Sequence, residues 1–167
     1  MFWFALRVSS RNEKRIATQV ETMGLESYAP MIKVLKLWSD RKKWVEEPLI
    51  KSYVFVKSTY PSSEFYSILQ IPGAMRFVFF ENKPAIIPDY QIDALKVLIE
   101  KKINFKITPS IITPGTPIEI TSGPMRGFKG EVVSRNGKHK FCINITSINT
   151  AISFIIPFES FQIIQKL

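Results

Sequence analysis

The sequence has 167 residues, enough for one ordinary domain or two small ones, and its 46% hydrophobic content excludes a disordered chain. The formal net charge of +9 favours a polyanionic partner, although a merely soluble basic surface would have the same composition. A single cysteine, Cys142, excludes an internal disulfide and indicates the reducing cytoplasm, and no apolar run reaches the roughly 20 residues that cross a bilayer.

The N-terminal residues are predicted to form a core strand followed by a helix. Phe2 to Val8 is an aromatic and aliphatic run of strand length. Ser10 and Glu13 have the spacing of a capping box, and the apolar face of the helix is expected to contain Ile16, Val20 and Met23. The other face is basic, and is either solvated or turned towards phosphates; it carries Arg11, Lys14 and Arg15.

The next segment is predicted to be a β-hairpin with a basic tip. Two β-rich runs, from Tyr28 to Leu37 and from Leu49 to Val56, flank the polar stretch from Ser39 to Lys43. Basic residues surround two tryptophans here, and the cluster consists of Lys33, Lys36, Trp38, Arg41, Lys42, Lys43 and Trp44. Cations neutralise phosphates and indole rings stack on unpaired bases, which suits single-stranded DNA or RNA. The alternative is that the tryptophans pack against their own domain while the lysines stay solvated.

The remainder of the chain changes from mixed to purely β patterning. A short amphipathic helix after Pro61, a strand from Ala74 to Phe80 and a helix from Asp89 are predicted first. Helical and strand periodicity then disappear, and we expect the domain boundary between Ile107 and Ile112. Five short strands follow, and they predict a small β-barrel with a tight turn at Asn136 and Gly137.

Catalytic chemistry has little support in the sequence. His139 is the only histidine and lies beside a predicted turn, and Cys142 alternates with apolar residues as a buried small hydrophobe does. Glu46 and Glu47 are neighbours on a strand, so they would point to opposite faces. No cofactor motif or metal-ligand spacing is present, and we therefore expect no enzyme, no cofactor and no metal.

Two parts of the sequence resemble the NusG-like transcription elongation factors. Pro114-Gly115 precedes a strand, and the run from Gly123 to Gly130 leads into Glu131, a pattern similar to that of a KOW domain. The first part resembles the NusG N-terminal (NGN) domain in motifs that occur in the family's order: Trp3-Phe4-Ala5-Leu6, Glu13-Lys14, Tyr53-Val54-Phe55-Val56 and Ile71-Pro72-Gly73. The resemblance implies an α+β fold: an NGN-type α/β sandwich at 1–107, a linker at 108–113, and an SH3-like KOW β-barrel at 114–167.

Within the family, the sequence is more similar to the RfaH-like and UpxY-like specialised antiterminators. Tyr28-Ala29-Pro30-Met31, Glu47-Pro48-Leu49 and the run from Lys83 to Pro88 carry this closer resemblance, and the stretch from Trp38 to Lys43 resembles the UpxY-like group. The resemblance implies a monomeric, non-enzymatic, cytoplasmic antitermination factor. It would suppress pausing or termination on specific operons such as those for polysaccharide biosynthesis.

The resemblance also implies partners and contact residues. The N-terminal domain would bind the clamp helices of the largest RNA polymerase subunit through Leu49, Ile50, Tyr53 and Phe55. The non-template DNA strand would approach the basic residues Arg11, Lys14, Arg15, Lys36, Trp38, Arg41, Lys42 and Lys43. The KOW domain would bind a small-subunit ribosomal protein or Rho, and no membrane contact is implied.

One departure from the family pattern concerns the polymerase contact, because Ile50-Lys51-Ser52-Tyr53 stands where the family usually has Phe-Pro-Gly-Tyr or Phe-Pro-Asn-Tyr. An RNA-binding or ribosome-associated KOW protein is the alternative function, since the charge also suits RNA.

Overall fold

A computed structural model describes residues 1–38, 40–135 and 137–164. The chain divides into two compact units, Met1–Pro88 and Asp89–Leu167, which are described separately. The first unit contains β1 (Phe2–Val8), α1 (Glu13–Thr22), β2 (Glu26–Tyr28), β3 (Met31–Leu37), β4 (Lys42–Pro48), β5 (Tyr53–Ser58), α2 (Ser63–Ile68), β6 (Ala74–Phe77), β7 (Phe79–Phe80), β8 (Lys83–Pro84) and β9 (Ile86–Ile87). The second contains α3 (Asp89–Glu100), β10 (Lys106–Thr108), β11 (Thr116–Ile120), β12 (Lys129–Arg135), β13 (Lys138–Ile145), β14 (Thr150–Ile156) and β15 (Phe161–Ile163).

An antiparallel sheet organises the first unit, with strand order β2-β5-β1-β6 and β9 paired to β1. Alternate residues of β1 and β5 point into the core on one face, because side chains alternate along a strand. That core also takes the apolar faces of α1 and α2, and it includes Phe4, Leu6, Val8, Ile16, Val20, Val54, Val56, Phe65, Ile68 and Phe77. The rings of Phe65 and Phe77 stack with their centroids 3.9 Å apart. Burying each large side chain stabilises the fold by roughly 1.5–3 kcal/mol.

The start of α1 differs from the sequence-based expectation. The helix begins at Glu13 with Asn12 as its N-cap residue, so the predicted capping box from Ser10 to Glu13 is wrong. Glu13 is only 2% exposed, and its Oε1 accepts a hydrogen bond of 2.8 Å from the backbone N–H of Ser52. The Glu13 carboxylate therefore joins the helix to the loop before β5.

Met23 follows the last helical residue and is 40% exposed, so it is not part of the core face.

The β-hairpin is formed by β3 and β4 as a separate two-stranded sheet. Its second strand is the charged run from Lys42 to Pro48, whereas the predicted partner, Leu49 to Val56, supplies β5 of the main sheet instead. The basic residues Lys42 and Lys43 thus belong to a strand, and the connection begins at Trp38, whose N–H donates to the carbonyl of Arg41. Ser39, in this connection, lies outside the described residues.

The second unit contains one antiparallel sheet with strand order β10-β14-β13-β12-β11-β15. The five strands predicted for this region are confirmed, and β10 joins them at the edge. Asn136, in the predicted tight turn, lies outside the described residues, while Gly137 has a φ of +70°. Gly130 leaves room for the fully buried ring of Phe141, because an added Cβ at this position would lie 2.5 Å from Cζ of that ring. The predicted fold class, α+β followed by a small SH3-like β unit, is confirmed.

Helix α3 belongs to the first domain in the division predicted from the sequence, but to the second of the two compact units of the structure. Sequence patterning assigns α3 to a first domain ending at residue 107, whereas the compact units meet between Pro88 and Asp89. Within the second unit, Nε2 of Gln91 on α3 donates a hydrogen bond of 3.0 Å to the carbonyl of Asn144. The domain limits 1–107, 108–113 and 114–167 stay a prediction. Among the described helices, none has the length and apolar composition of a membrane span.

Candidate functional site

The hairpin presents an exposed tryptophan between two cations. Trp38 is 49% exposed, Cζ of Arg41 lies 5.9 Å from the centre of its ring, and Nζ of Lys43 lies 5.5 Å from it. Both distances are within the roughly 6 Å of a cation–π contact, which holds the charges near the ring face. The alternative that the tryptophans pack against their own domain is wrong, because Trp44 is also 65% exposed.

The second tryptophan lies on the opposite face of the hairpin. Trp44 is the cross-strand partner of Leu35, and Lys36 is the partner of Lys43, so the two pairs point to opposite faces. Leu35 is 46% exposed and Leu37 is 77% exposed. One face is therefore cationic and aromatic, and the other combines exposed apolar side chains with lysines.

Two of the predicted nucleic-acid-binding lysines already have carboxylate partners. Nζ of Lys14 on α1 lies 2.6 Å from Oε2 of Glu46 on β4, and Lys36 pairs with Glu47. A hydrogen bond from Lys14 is the main cause that lowers the pKa of Glu46, and one from Lys36 lowers the pKa of Glu47. Both carboxylates therefore stay ionised to a lower pH than usual, so each of the two lysines has a negative charge beside it at neutral pH.

The other basic residues of α1 differ in their availability. Arg15 donates hydrogen bonds to Oδ1 of Asn12 at 3.0 Å and to the carbonyl of Pro72, which ties the helix to the loop before β6. Arg11 is exposed with a φ of +65°, and its charge also contributes to the lowered pKa of Glu47. The structure thus brings Lys14 to the hairpin, while Arg15 has a structural role.

The residues predicted to meet the polymerase are not equally accessible. Phe55 is completely buried and Ile50 is 5% exposed, whereas Leu49 and Tyr53 are half-buried. A buried side chain cannot act as an exposed apolar contact in this conformation. Tyr53 lines a surface cleft with a volume of about 400 Å³.

Two arginines lie in one row with Tyr53 in this cleft, in the order Tyr53, Arg7, Arg76. Arg7 on β1 is the direct cross-strand partner of both Tyr53 on β5 and Arg76 on β6, so the three side chains form one row on one face of the sheet. Both arginines are exposed, and among the described residues neither has an ion-pair partner. The apolar part of the lining includes Phe77, Val78 and Phe79. We call the cleft defined by Arg7, Tyr53, Arg76 and Phe79 the arginine–tyrosine cleft.

Sequence reasoning missed both arginines. Arg7 interrupts the apolar run of β1, which is a visible signal that its side chain does not point into the core. The position of Arg76 depends on the pairing of β1 with β6, about 70 residues apart in sequence, and no local pattern predicts that register.

The histidine and the cysteine, the two side chains considered for catalysis, both contact or are buried among residues of the second unit. Nδ1 of His139 is 2.8 Å from Oγ of Ser134, and its ring contacts those of Phe158 and Phe161 at centroid distances of 5.2 and 5.5 Å. Burial raises the pKa of the Cys142 thiol to about 11, so the nucleophilic thiolate is scarce at neutral pH. No group of three or more histidine, cysteine, aspartate or glutamate side chains with metal-binding geometry occurs in the described part of the chain.

Comparisons with known proteins identify the class and then the family. The sequence profile described as "Transcription termination factor nusG" matches residues 1–96, which is more than half of the chain. The match defines the class as transcription factors of termination and elongation. The chain belongs to the NusG family.

Individual relatives are distant. The chain is 23% identical over 139 residues to the transcription termination/antitermination protein NusG of Rickettsia prowazekii (strain Madrid E), covering 78% of this chain and 72% of the relative. It is 26% identical over 116 residues to the transcription elongation factor Spt5 of Acidianus ambivalens, covering 62% and 76%. A solved structure of Thermotoga maritima NusG covers 98% of this chain and 97% of its own, with 17% identity and a TM-score of 0.47.

Proposed function

We propose that this protein is a non-enzymatic elongation and antitermination factor that binds RNA polymerase through the arginine–tyrosine cleft. The observation that carries the proposal is the row formed by Tyr53, Arg7 and Arg76 across three strands. Tyrosine and arginine are, with tryptophan, the residue types enriched among those that dominate binding energy at protein interfaces. An apolar lining at Phe77 to Phe79 supplies the desolvated surroundings in which such anchors act.

The row also indicates the chemistry of the polymerase element. Two unpaired guanidinium groups beside an aromatic ring suit a helix that presents carboxylates next to an apolar residue, because arginine binds carboxylates in a bidentate manner. The clamp helices of the largest subunit, implied by the family resemblance, are the proposed element. Of the four contacts predicted from the sequence, we retain Tyr53, with Arg7 and Arg76 in its row, and keep Leu49 as a half-buried residue outside the described lining of the cleft.

We assign the non-template DNA strand to the cationic face of the hairpin. Trp38 can stack on an unpaired base while Arg41 and Lys43 neutralise adjacent phosphates, and the contacts of 5.9 and 5.5 Å already orient both cations around the ring. Arg11 extends the exposed charge, whereas Lys42, the partner of Leu37, lies on the other face of the hairpin. Lys14 and Lys36 contribute less because their charges are closely paired with Glu46 and Glu47, whereas the contact of Arg41 Nε with Oδ2 of Asp40 is longer, at 3.9 Å.

The finer assignments rest on the resemblance in sequence. We propose a specialised antiterminator of the RfaH-like or UpxY-like kind, acting in the cytoplasm on particular operons such as those for surface polysaccharides. The second unit would contact a small-subunit ribosomal protein or Rho.

A nuclease-treated pull-down with the full chain tests the polymerase contact. Tyr53→Ala and Arg7→Ala should each weaken retention of RNA polymerase by roughly 1–3 kcal/mol, which is about 5- to 150-fold. Tyr90→Ala and Arg126→Ala are matched controls, since both side chains are exposed in the second unit. Normal retention of polymerase by folded Tyr53 and Arg7 variants would refute the assignment. Loss of polymerase from the wild-type chain after nuclease treatment would favour the RNA-binding or ribosome-associated alternative.

A further inference from the structure

The outer face of the second unit contains a basic cleft with a volume of about 560 Å³. It combines three lysines with neutral polar and apolar side chains, and its described lining consists of Asn104, Phe105, Lys106, Thr108, Ile112, Val133, Lys138, Lys140, Ser153, Phe154 and Ile155. No carboxylate is part of that lining. We call it the lysine cleft.

Strand register places the lysines around an apolar centre. Lys140 is the cross-strand partner of both Val133 and Ile155, so these three form a row, and Ile155 is 62% exposed. Lys138 is on the same face two residues earlier, roughly 7 Å along the strand. Lys106 is opposite Ser153 on the edge strand β10. The charges therefore lie on both sides of the exposed isoleucine.

The three lysines differ from the paired lysines of the first unit. Lys106, Lys138 and Lys140 are exposed, and within the described residues none of them forms an ion pair. By register, a carboxylate occurs in the neighbouring row, at Glu131 opposite Cys142, and Glu131 lines a different cleft. Three like charges that line one cleft, with no carboxylate in its described lining, create a positive potential that attracts a polyanion.

We propose that the lysine cleft binds a single strand of RNA, with lysines on its phosphates and a base against Ile155 and Phe105. A single strand suits this geometry better than a duplex, because the apolar centre needs an exposed base face and a duplex stacks its bases inside. The choice of RNA over DNA rests on the proposed function. A polymerase-bound factor meets two single strands, and the hairpin is assigned to the DNA strand, which leaves the transcript for the second unit.

Fluorescence anisotropy with an oligouridine RNA tests the cleft directly. The background is the full chain with Arg41→Gln, Lys42→Gln and Lys43→Gln, so that the hairpin contributes little. Adding Lys106→Gln, Lys138→Gln and Lys140→Gln should weaken RNA binding at least tenfold near 0.1 M salt. It should also reduce the slope of log K against log salt by about 2, since each lost phosphate contact on a single strand contributes about 0.7.

A matched control removes the same charge elsewhere on the second unit. Lys101→Gln, Lys102→Gln and Lys129→Gln, in the same background, should leave both affinity and slope nearly unchanged; of these three, Lys101 has a carboxylate partner, Glu100 at 3.4 Å. Equal losses in both triple variants would overturn the proposal, because net charge rather than the cleft would then bind the RNA. Equal competition by polyglutamate at the same charge concentration would also overturn it, by making the cleft a site for acidic protein.

The position of the strand can be checked in a reconstituted elongation complex. With 4-thiouridine in the emerging transcript, the wild-type chain should crosslink to RNA and the lysine-cleft variant should lose that crosslink. Crosslinking of the cleft to non-template DNA instead would refute the assignment to RNA. Failure of the chain to bind polymerase would refute the proposed function, while the binary anisotropy result would still decide whether the cleft binds RNA.

Discussion

Glu13 allows a quantitative test of how the loop before Tyr53 is held. Its buried carboxylate accepts a 2.8 Å hydrogen bond from Ser52 N–H, and the Ser52 carbonyl in turn accepts one of 3.0 Å from Val8. Ser52 has a φ of +63°, a backbone conformation that requires support from its surroundings. A hydrogen bond to a charged group contributes about 1.5–3 kcal/mol. We therefore expect Glu13→Ala to reduce the free energy of unfolding of the first unit by about 2–3 kcal/mol.

Tryptophan fluorescence is the suitable assay, because all three tryptophans lie in the first unit. Denaturant titration of the full chain should show a lower midpoint for Glu13→Ala, and a smaller loss of about 1 kcal/mol for Glu13→Gln, whose amide oxygen still accepts. Glu21→Ala, at an exposed position on the same helix, should change stability by less than about 0.5 kcal/mol. Equal midpoints for the Glu13→Ala and Glu21→Ala variants would refute the role of the buried carboxylate.

Three further predictions concern other parts of the chain. Gly130→Ala should destabilise the second unit by about 1–3 kcal/mol in thermal unfolding followed by circular dichroism, because the new methyl group would overlap the Phe141 ring; an unchanged midpoint would contradict this. Cys142 should react with Ellman's reagent much more slowly in the folded chain than after unfolding, since burial raises its pKa to about 11, and fast native reaction would contradict the burial. Glu46→Gln should tighten binding of single-stranded DNA in anisotropy while changing stability by less than about 0.5 kcal/mol, because it releases the exposed Lys14; weaker binding would exclude Lys14 from the DNA contact.

Local patterns predicted most elements of both units. The apolar run of β1 and the helical spacing of Ile16 and Val20 are signals that depend on nearby residues only, and they were confirmed. In the glycine-rich run before β12, Gly123 and Gly127 have positive φ values of +79° and +87°, a conformation that glycine adopts readily. These predictions succeeded because each conformation is determined within a few residues.

The hairpin shows where local pattern fails. Strand β4 consists largely of charged residues and has no buried residue, so it lacks the alternation that marks a half-buried strand. It pairs with β3, which is close to it in the chain. Glu46 and Glu47 of β4 then form ion pairs with Lys14 and Lys36. The apolar run from Leu49 to Val56 was a more obvious strand, and it is one, but it belongs to the main sheet.

The arginine–tyrosine cleft was unpredictable for a different reason. Residues 7, 53 and 76 become neighbours only through the register of three strands, and a shift of one residue would send each side chain to the opposite face. The sequence identified Tyr53 through its resemblance to the family, but neither composition nor spacing could identify its neighbours.

The distribution of carboxylates explains why the formal charge of +9 is a poor guide to the binding surfaces. Lys14 and Lys36 are in the most basic-looking part of the sequence, yet each has a glutamate partner, and such exposed pairs contribute little to stability. The pairs instead restrict where a polyanion can gain energy, because a phosphate must compete with a carboxylate already in place. Among the described residues, cations with no carboxylate partner include Lys42 and Lys43 of the hairpin, and elsewhere Arg7, Arg76, Lys106, Lys138 and Lys140. A polyanion is therefore expected to bind where no carboxylate lies beside a cation. Such a surface can be recognised only when the register of the strands is known.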